Sequence, residues 1–219
     1  PFTHRSQIMQ DTCFIADVAV LPGWLKVGQS LDFVEGVHPK FRRERAMSLL
    51  SRTQIKLDSR IRTLSKGMKT QVHLALAMAI DAKLLVLDEP TLGLDLLARR
   101  AFYDALVNDY MDETRTILVT THQVEEVENL LTHVMFIERG RLVLDTPVED
   151  IASRFVAIAV HPDRIEAGKS AKPFYVRPLM GKTIMYFDDP ANPALADLGE
   201  PHTPTIADLF VAKMSQGAA

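Results

Sequence analysis

Apolar residues change their spacing along the chain, and each spacing predicts a different element. Residues 14–21 form an apolar, β-leaning run closed by Pro22-Gly23, a pair that ends regular structure. From Ser30 to Ser59 the text is polar and helix-like. Arg42-Arg43-Glu44-Arg45 ahead of Ala46-Met47-Ser48-Leu49-Leu50 predicts an amphipathic helix with a charged outer face. From Met68 to Ile80 the residues are apolar nearly all round, as in a helix covered on most sides. Leu84-Leu85-Val86-Leu87 is an aliphatic run of strand length, and residues 96–111 then set Ala98, Phe102, Leu106 and Tyr110 four apart on one helical face. Thr116-Ile117-Leu118-Val119-Thr120 predicts a second buried strand and residues 124–131 another helix. Residues 134–137 and 142–144 predict two more strands about Arg139-Gly140.

Strand, helix, strand, helix with aliphatic strands is the sequence form of a parallel sheet covered on both faces, so the expected fold is α/β through residue 155. Beyond Phe155 the texture changes, and seven of the 12 prolines fall there between short runs such as 155–160 and 183–187. Proline is confined to the edges and turns of sheets, so residues 156–219 are expected to form a small, irregular α+β appendage with a closing helix near 206–214.

Composition narrows the classes. A chain of 219 residues, 47% hydrophobic and 24% charged, has the make-up of a folded globular protein and not of a disordered one. The net charge of −3 gives no global positive field, which argues against nucleic acid as a partner. Cys13 is the only cysteine, so no intramolecular disulfide forms and a reducing compartment is expected. No apolar run approaches the roughly 20 residues that cross a bilayer. Pro1-Phe2-Thr3-His4-Arg5 shows neither an initiator Met nor a signal-peptide pattern, and residue 1 is expected to be a cut point.

Candidate chemistry gathers at element ends. Asp88 and Glu89 follow the aliphatic strand, where the carboxyl ends of a parallel sheet line a ligand crevice; two acids there suit a hydrated divalent cation and a polarised water. They are equally the solvated start of a loop. His122 ends the next strand, and a right-handed crossover would bring it to the same rim; it also reads as a part-exposed histidine opening a helix. Ser65-Lys66-Gly67 precedes the buried helix, whose first turn can receive an anion, although capping alone explains Ser65. Asp95 is likewise an N-cap for the helix from Leu96.

Taken in order, Leu64-Ser65-Lys66-Gly67-Met68, Leu84-Leu85-Val86-Leu87-Asp88-Glu89-Pro90-Thr91, Leu92-Gly93-Leu94-Asp95 and Thr120-Thr121-His122 resemble the signature motif, Walker B strand with catalytic glutamate, D-loop and switch histidine of ABC-type ATPases. The resemblance runs from about Phe14 to Phe155, and residues 204–210 resemble the C-terminus of bacterial ATP-binding subunits that pair with a separate membrane exporter. It implies a partial P-loop NTPase-like domain over 1–155, with a helical signature subdomain at about 24–82 and an accessory segment at 156–219. It implies ATP and Mg²⁺ as ligands. Asp88 is then the Mg²⁺ residue, Glu89 the base for the attacking water and His122 the γ-phosphate sensor. Ser65, Lys66 and Gly67 would reach a nucleotide held by a second ATP-binding subunit, and Asp95 would join the two halves. A separate transmembrane permease is the expected partner, docking on about Trp24 to Arg45, with the protein peripheral on the cytoplasmic face of the inner membrane.

The match departs from the pattern in three places. Lys66 and Met68 replace a usual glycine and glutamine of the signature. Asp17, in Phe14-Ile15-Ala16-Asp17, stands where the family has its metal-touching Q-loop glutamine, which makes Asp17 a second metal candidate. No G-x-x-x-x-G-K-[ST] phosphate loop occurs. Gly23-Trp24-Leu25-Lys26-Val27-Gly28-Gln29-Ser30 has the glycine spacing but puts Gln29 at the lysine, and it lies 65 residues ahead of Asp88, behind the Q-loop candidate. Gly168-Lys169-Ser170 and Gly181-Lys182-Thr183 lack the first glycine, and their lysines are expected on surface loops. The phosphate loop is therefore expected upstream of Pro1, leaving this chain inactive alone. Two other readings stay open: a soluble non-transport ABC ATPase, and a non-catalytic remnant that lends its signature to a partner.

Overall fold

The computed structural model describes residues 5–16 and 21–216, which fall into two compact units, Pro1–His122 and Gln123–Ala219. The first unit contains, in order, α1 (Arg5–Gln10), β1 (Thr12–Ile15), α2 (Val27–Val37), α3 (Arg43–Ser51), α4 (Lys66–Met78), β2 (Leu84–Asp88), α5 (Leu96–Ala105) and β3 (Thr116–Thr120). Its three strands form a parallel sheet in the order β1-β2-β3, in a register that sets Phe14 beside Val86 beside Leu118 and Asp88 beside Thr120. Helices α2, α3 and α4 close around Val27, Leu31, Ala46, Leu50, Val72 and Ala79, all nearly sealed from water. Helix α4 is buried over Leu74–Met78, while its first turns, through Gln71, are half-buried or exposed. The four-apart face of residues 96–111 is borne out at Phe102, Leu106 and Tyr110, which are buried, but α5 gives way at Leu106–Tyr110 to a wider π-helical turn.

Strand β3 exists where the sequence predicts it, yet none of its residues is buried. It ends the strand order and so, among the described residues, pairs on one edge alone. The face of the sheet that carries Phe14, Val86 and Leu118 is open among the described residues, with Phe14 59% and Leu118 39% exposed. The opposite face, with Cys13, Ile15, Leu85 and Leu87, is buried. The expectation of a sheet covered on both faces is thus met on one face.

The second unit contains α6 (Val124–Val127), β4 (His133–Glu138), β5 (Arg141–Pro147), α7 (Ile151–Arg154), β6 (Phe155–Val160), α8 (Ile165–Ser170), β7 (Tyr175–Leu179), β8 (Lys182–Asp188), β9 (Gly199–His202) and α9 (Ile206–Gln216). Strands β4 and β5 form an antiparallel hairpin whose turn, Arg139 and Gly140, has both φ angles positive, as a tight hairpin turn requires. Strands β7-β8-β6-β9 form a regular antiparallel sheet in place of the irregular appendage expected. Val134, Phe136 and Leu144 of the hairpin share one cluster with Phe155, Ile206 and Leu209, so the hairpin packs with β6 and α9. That cluster explains why the compact units divide after His122, whereas the sequence reading draws its boundary at 155. Among the described residues no helix is long and apolar enough to cross a membrane.

Candidate functional site

The site grows from the carboxyl ends of β2 and β3. Glu89 leaves β2 in the left-handed region, at φ 45°, a conformation that costs a non-glycine residue about 1–3 kcal/mol unless its surroundings hold it. Four sets of hydrogen bonds do so. The Glu89 N–H donates to the Thr120 carbonyl at 2.9 Å, and its own carbonyl accepts from Leu92 N–H at 3.1 Å. Its Oε2 accepts from the Thr121 hydroxyl at 3.1 Å. Its Oε1 accepts from the His122 N–H at 2.9 Å and lies 2.6 Å from His122 Nδ1. An ionised carboxylate only accepts, so Nδ1 carries the proton in this pair, which leaves Nε2 on the exposed side of the imidazole for a ligand. One residue earlier, Asp88 Oδ1 accepts from the Thr120 hydroxyl, which fixes that carboxylate on the same rim.

A second group lies on the loops beside α4 and α5. Ser65 caps α4, its Oγ accepting from Met68 N–H at 3.2 Å, and its hydroxyl proton remains available to a ligand. Asp95 caps α5, its Oδ1 accepting from Ala98 N–H at 2.8 Å. The two loops touch: a methyl group on Gly67 would come within 3.2 Å of the Gly93 carbonyl oxygen, and Gly93 itself has φ 86°. Of the residues singled out in the sequence, the structure thus brings Asp88, Glu89 and His122 together, and joins Ser65, Lys66 and Gly67 to the turn ahead of Asp95. Asp17 lies outside the described residues.

Sequence reading missed three contributors. Thr120 and Thr121 hold the two carboxylates, a role that emerges only when β3 is registered against β2. His73 lies in the run read as apolar nearly all round. Its Nδ1 is buried without a hydrogen-bond partner, burial lowers its pKa below the ordinary 6.5, and it lines a small pocket with Ile15, Thr70, Glu89, Pro90 and Leu92. The signal was there in the lone titratable side chain between Val72 and Leu74. The phosphate-loop decoys resolve as ordinary structure. Gln29 Oε1 accepts from Lys26 N–H at 2.9 Å as part of the α2 cap. Lys169 lies in the last turn of α8, paired with Glu166 at 2.8 Å, and Lys182 opens β8, so neither sits in the loop expected of it. The tight Met180-Gly181 turn, both φ positive, is what draws Lys182 into the strand.

The family described as "AAA domain, putative AbiEii toxin, Type IV TA system" matches residues 55–128, the stretch that holds Ser65, Asp88, Glu89, Asp95 and His122. The ABC transporter ATP-binding protein YtrB of Bacillus subtilis (strain 168) is 29% identical over 130 residues, 59% of this chain and 44% of that protein. A Nod factor export ATP-binding protein I from Paraburkholderia xenovorans (strain LB400) is 33% identical over 173 residues, 74% of this chain and 57% of that protein. A solved structure titled as the ATP binding subunit of an ABC transporter superposes with a TM-score of 0.61 at 26% identity, over 68% of this chain and 64% of that one. The chain spans about half the length of the curated relatives it matches. The class defined by this parallel sheet and its carboxylate rim is the ABC-type, P-loop NTPase-like ATPase fold. Within that class, the chain is similar to ABC transporter ATP-binding subunits over the residues it matches.

Proposed function

We propose that the protein is the ATP-hydrolysing subunit that energises an ABC-type membrane exporter, working as a pair of ATP-binding subunits against a separate permease on the cytoplasmic face of the inner membrane. The observation that carries this reading is the Glu89–His122 pair, a carboxylate held by three donors on the shared rim of two parallel strands, one residue from Asp88.

The donor set fits Mg²⁺-ATP. The Asp88 carboxylate, fixed on the rim by the Thr120 hydroxyl, suits Mg²⁺, an ion that keeps most of its waters and takes one or two carboxylates plus phosphate oxygens. Asp88 would hold it, and the ion when bound neutralises phosphate charge. Glu89 accepts the proton of the attacking water on an oxygen that keeps a free lone pair, while Thr121 and His122 hold the carboxylate against rotation. With Nδ1 donating to Glu89, His122 meets the γ-phosphate as an imidazolium, whose Nε2–H donates to a phosphate oxygen. Ser65, Lys66 and Gly67 at the N-terminus of α4 face a nucleotide carried by the second subunit, with Asp95 beside them at the junction. The exposed Trp24, Phe33 and Val37 support the permease docking on residues 24–45.

These 219 residues contain no phosphate loop, and the open sheet face with Phe14, Val86 and Leu118 supports a cradle helix supplied from outside them. The chain alone is therefore expected to hydrolyse no ATP above background. Turnover that Glu89→Gln abolishes would overturn that expectation. Fused behind a strand, phosphate loop and helix of an ABC subunit, the chain should gain ATPase activity, and Glu89→Gln should stop turnover while prolonging the ATP-bound dimer. A dimer that dissociates at the unmutated rate counts against the reading.

A further inference from the structure

Lys66 is exposed as a residue, yet its stem lies beside Gly93. A methyl carbon built on Gly93 would come within 3.0 Å of both Lys66 Cδ and Cε and 3.4 Å of Cγ, so the aliphatic stem lies across the backbone of Gly93. From the other side, a methyl on Gly67 would meet the Gly93 carbonyl oxygen at 3.2 Å and Leu94 Cδ2 at 3.8 Å. The first turn of α4 and the turn between β2 and α5 are thus in contact through two glycines and one lysine stem. The second of these turns is tied internally as well. Leu94 N–H donates to the Thr91 carbonyl at 3.0 Å, Leu92 N–H to the Glu89 carbonyl at 3.1 Å, and Arg99 Nε to the Leu94 carbonyl at 2.9 Å. Whatever braces Gly93 therefore also braces the backbone that carries Glu89 and Asp95.

We propose that Lys66 is a positioning residue whose aliphatic stem straps the Ser65–Gly67 loop to the Gly93–Asp95 turn, so that the two loops keep one fixed spacing. Long cationic side chains commonly lay their methylenes on a surface while the ammonium stays in water, and the exposed Lys66 has this form. A glycine at this position would leave the loops to slide, whereas an unbranched apolar side chain would keep the strap and lose only the charge. The functional meaning rests on the proposed reading, in which both loops face a second subunit; the strap itself is measured without nucleotide.

Amide hydrogen exchange on the full 219-residue chain, read by NMR, tests it. In Lys66→Gly the Leu94 and Ala98 amides should exchange roughly tenfold faster, the change that accompanies a loss of about 1.4 kcal/mol in local stability, with Ala157 in β6 unchanged as a control. In Lys66→Met both amides should stay near the unmutated rate. Gly93→Ala, which sets a methyl against the stem, should lower Tm more in the unmutated background than in Lys66→Gly. Unchanged exchange in Lys66→Gly overturns the strap. So do equal rates in the Gly and Met variants, or an equal cost of Gly93→Ala in both backgrounds. If Gly93→Ala fails to fold, the two Lys66 variants decide. None of these results touches the assignment of Asp88, Glu89 and His122, which stands or falls on ATP turnover.

Discussion

Strands β3 and β6, one from each compact unit, are written in similar aliphatic text and end in opposite surroundings. Thr-Ile-Leu-Val-Thr in β3 has no buried residue, whereas Phe-Val-Ala-Ile-Ala-Val in β6 is buried at every position but Ala159. The difference lies in neighbours. Strand β6 has antiparallel partners on both edges, with Met185, Phe187 and Leu198 against one face and Ile184 and Tyr186 against the other. Among the described residues strand β3 has one partner, and its outward row continues into the exposed Phe14. An aliphatic run predicts a strand because β-branched side chains suit the pleat; burial depends on what arrives to cover it.

The largest effect that sharpens this contrast is expected in the packed unit. A methyl group on Gly199 would fall 2.1 Å from the Ala159 carbonyl oxygen, a backbone atom that cannot swing away. Gly199→Ala should therefore cost about 3 kcal/mol or more in urea unfolding followed by circular dichroism. A cost below about 1 kcal/mol would show that β9 can part from β6, and the contrast with β3 would weaken.

Next comes a pair inside the first unit. Leu87 in β2 is fully buried, so Leu87→Ala should lose about 2–5 kcal/mol, while Leu118→Ala in β3, on the open face, should lose under about 1 kcal/mol. Equal losses would mean that the open face is covered in solution.

The smallest effect concerns pH. Burial lowers the pKa of His73, so between its ordinary 6.5 and the folded value the unfolded chain binds more protons than the folded one. Stability should fall as pH drops below about 6.5, and His73→Leu should flatten that acid-side slope in Tm measured from pH 7 to pH 5. His38, also lowered by burial and by Lys40, remains in both proteins and cancels in the difference. Identical slopes would show that the His73 imidazole is solvated.

The site was legible in part. Asp88, Glu89 and His122 could be placed on one rim because a right-handed crossover between parallel strands leaves their ends on the same side, and the register of Asp88 with Thr120 agrees. Ser65 and Asp95 could be read as caps from their position before apolar runs, and both accept the expected N–H. Thr120 and Thr121 could not, since their partners lie 32 positions away in the chain. Lys66 read as a departure from a usual glycine of the signature; its contact is made by carbon, across a glycine 27 positions on.

By itself, the sequence indicated the main helices and strands of the first unit, where the polar ends of its strands fall and that no G-x-x-x-x-G-K-[ST] motif occurs in these residues, because periodicity, capping and motif spacing are local properties. Tertiary structure alone decided which strand is covered, that Glu89 is held in a left-handed conformation by four sets of donors and acceptors, and that the hairpin of β4 and β5 packs with α9. Those outcomes depend on atoms far apart in the chain meeting at a few ångströms, a distance that no local pattern encodes.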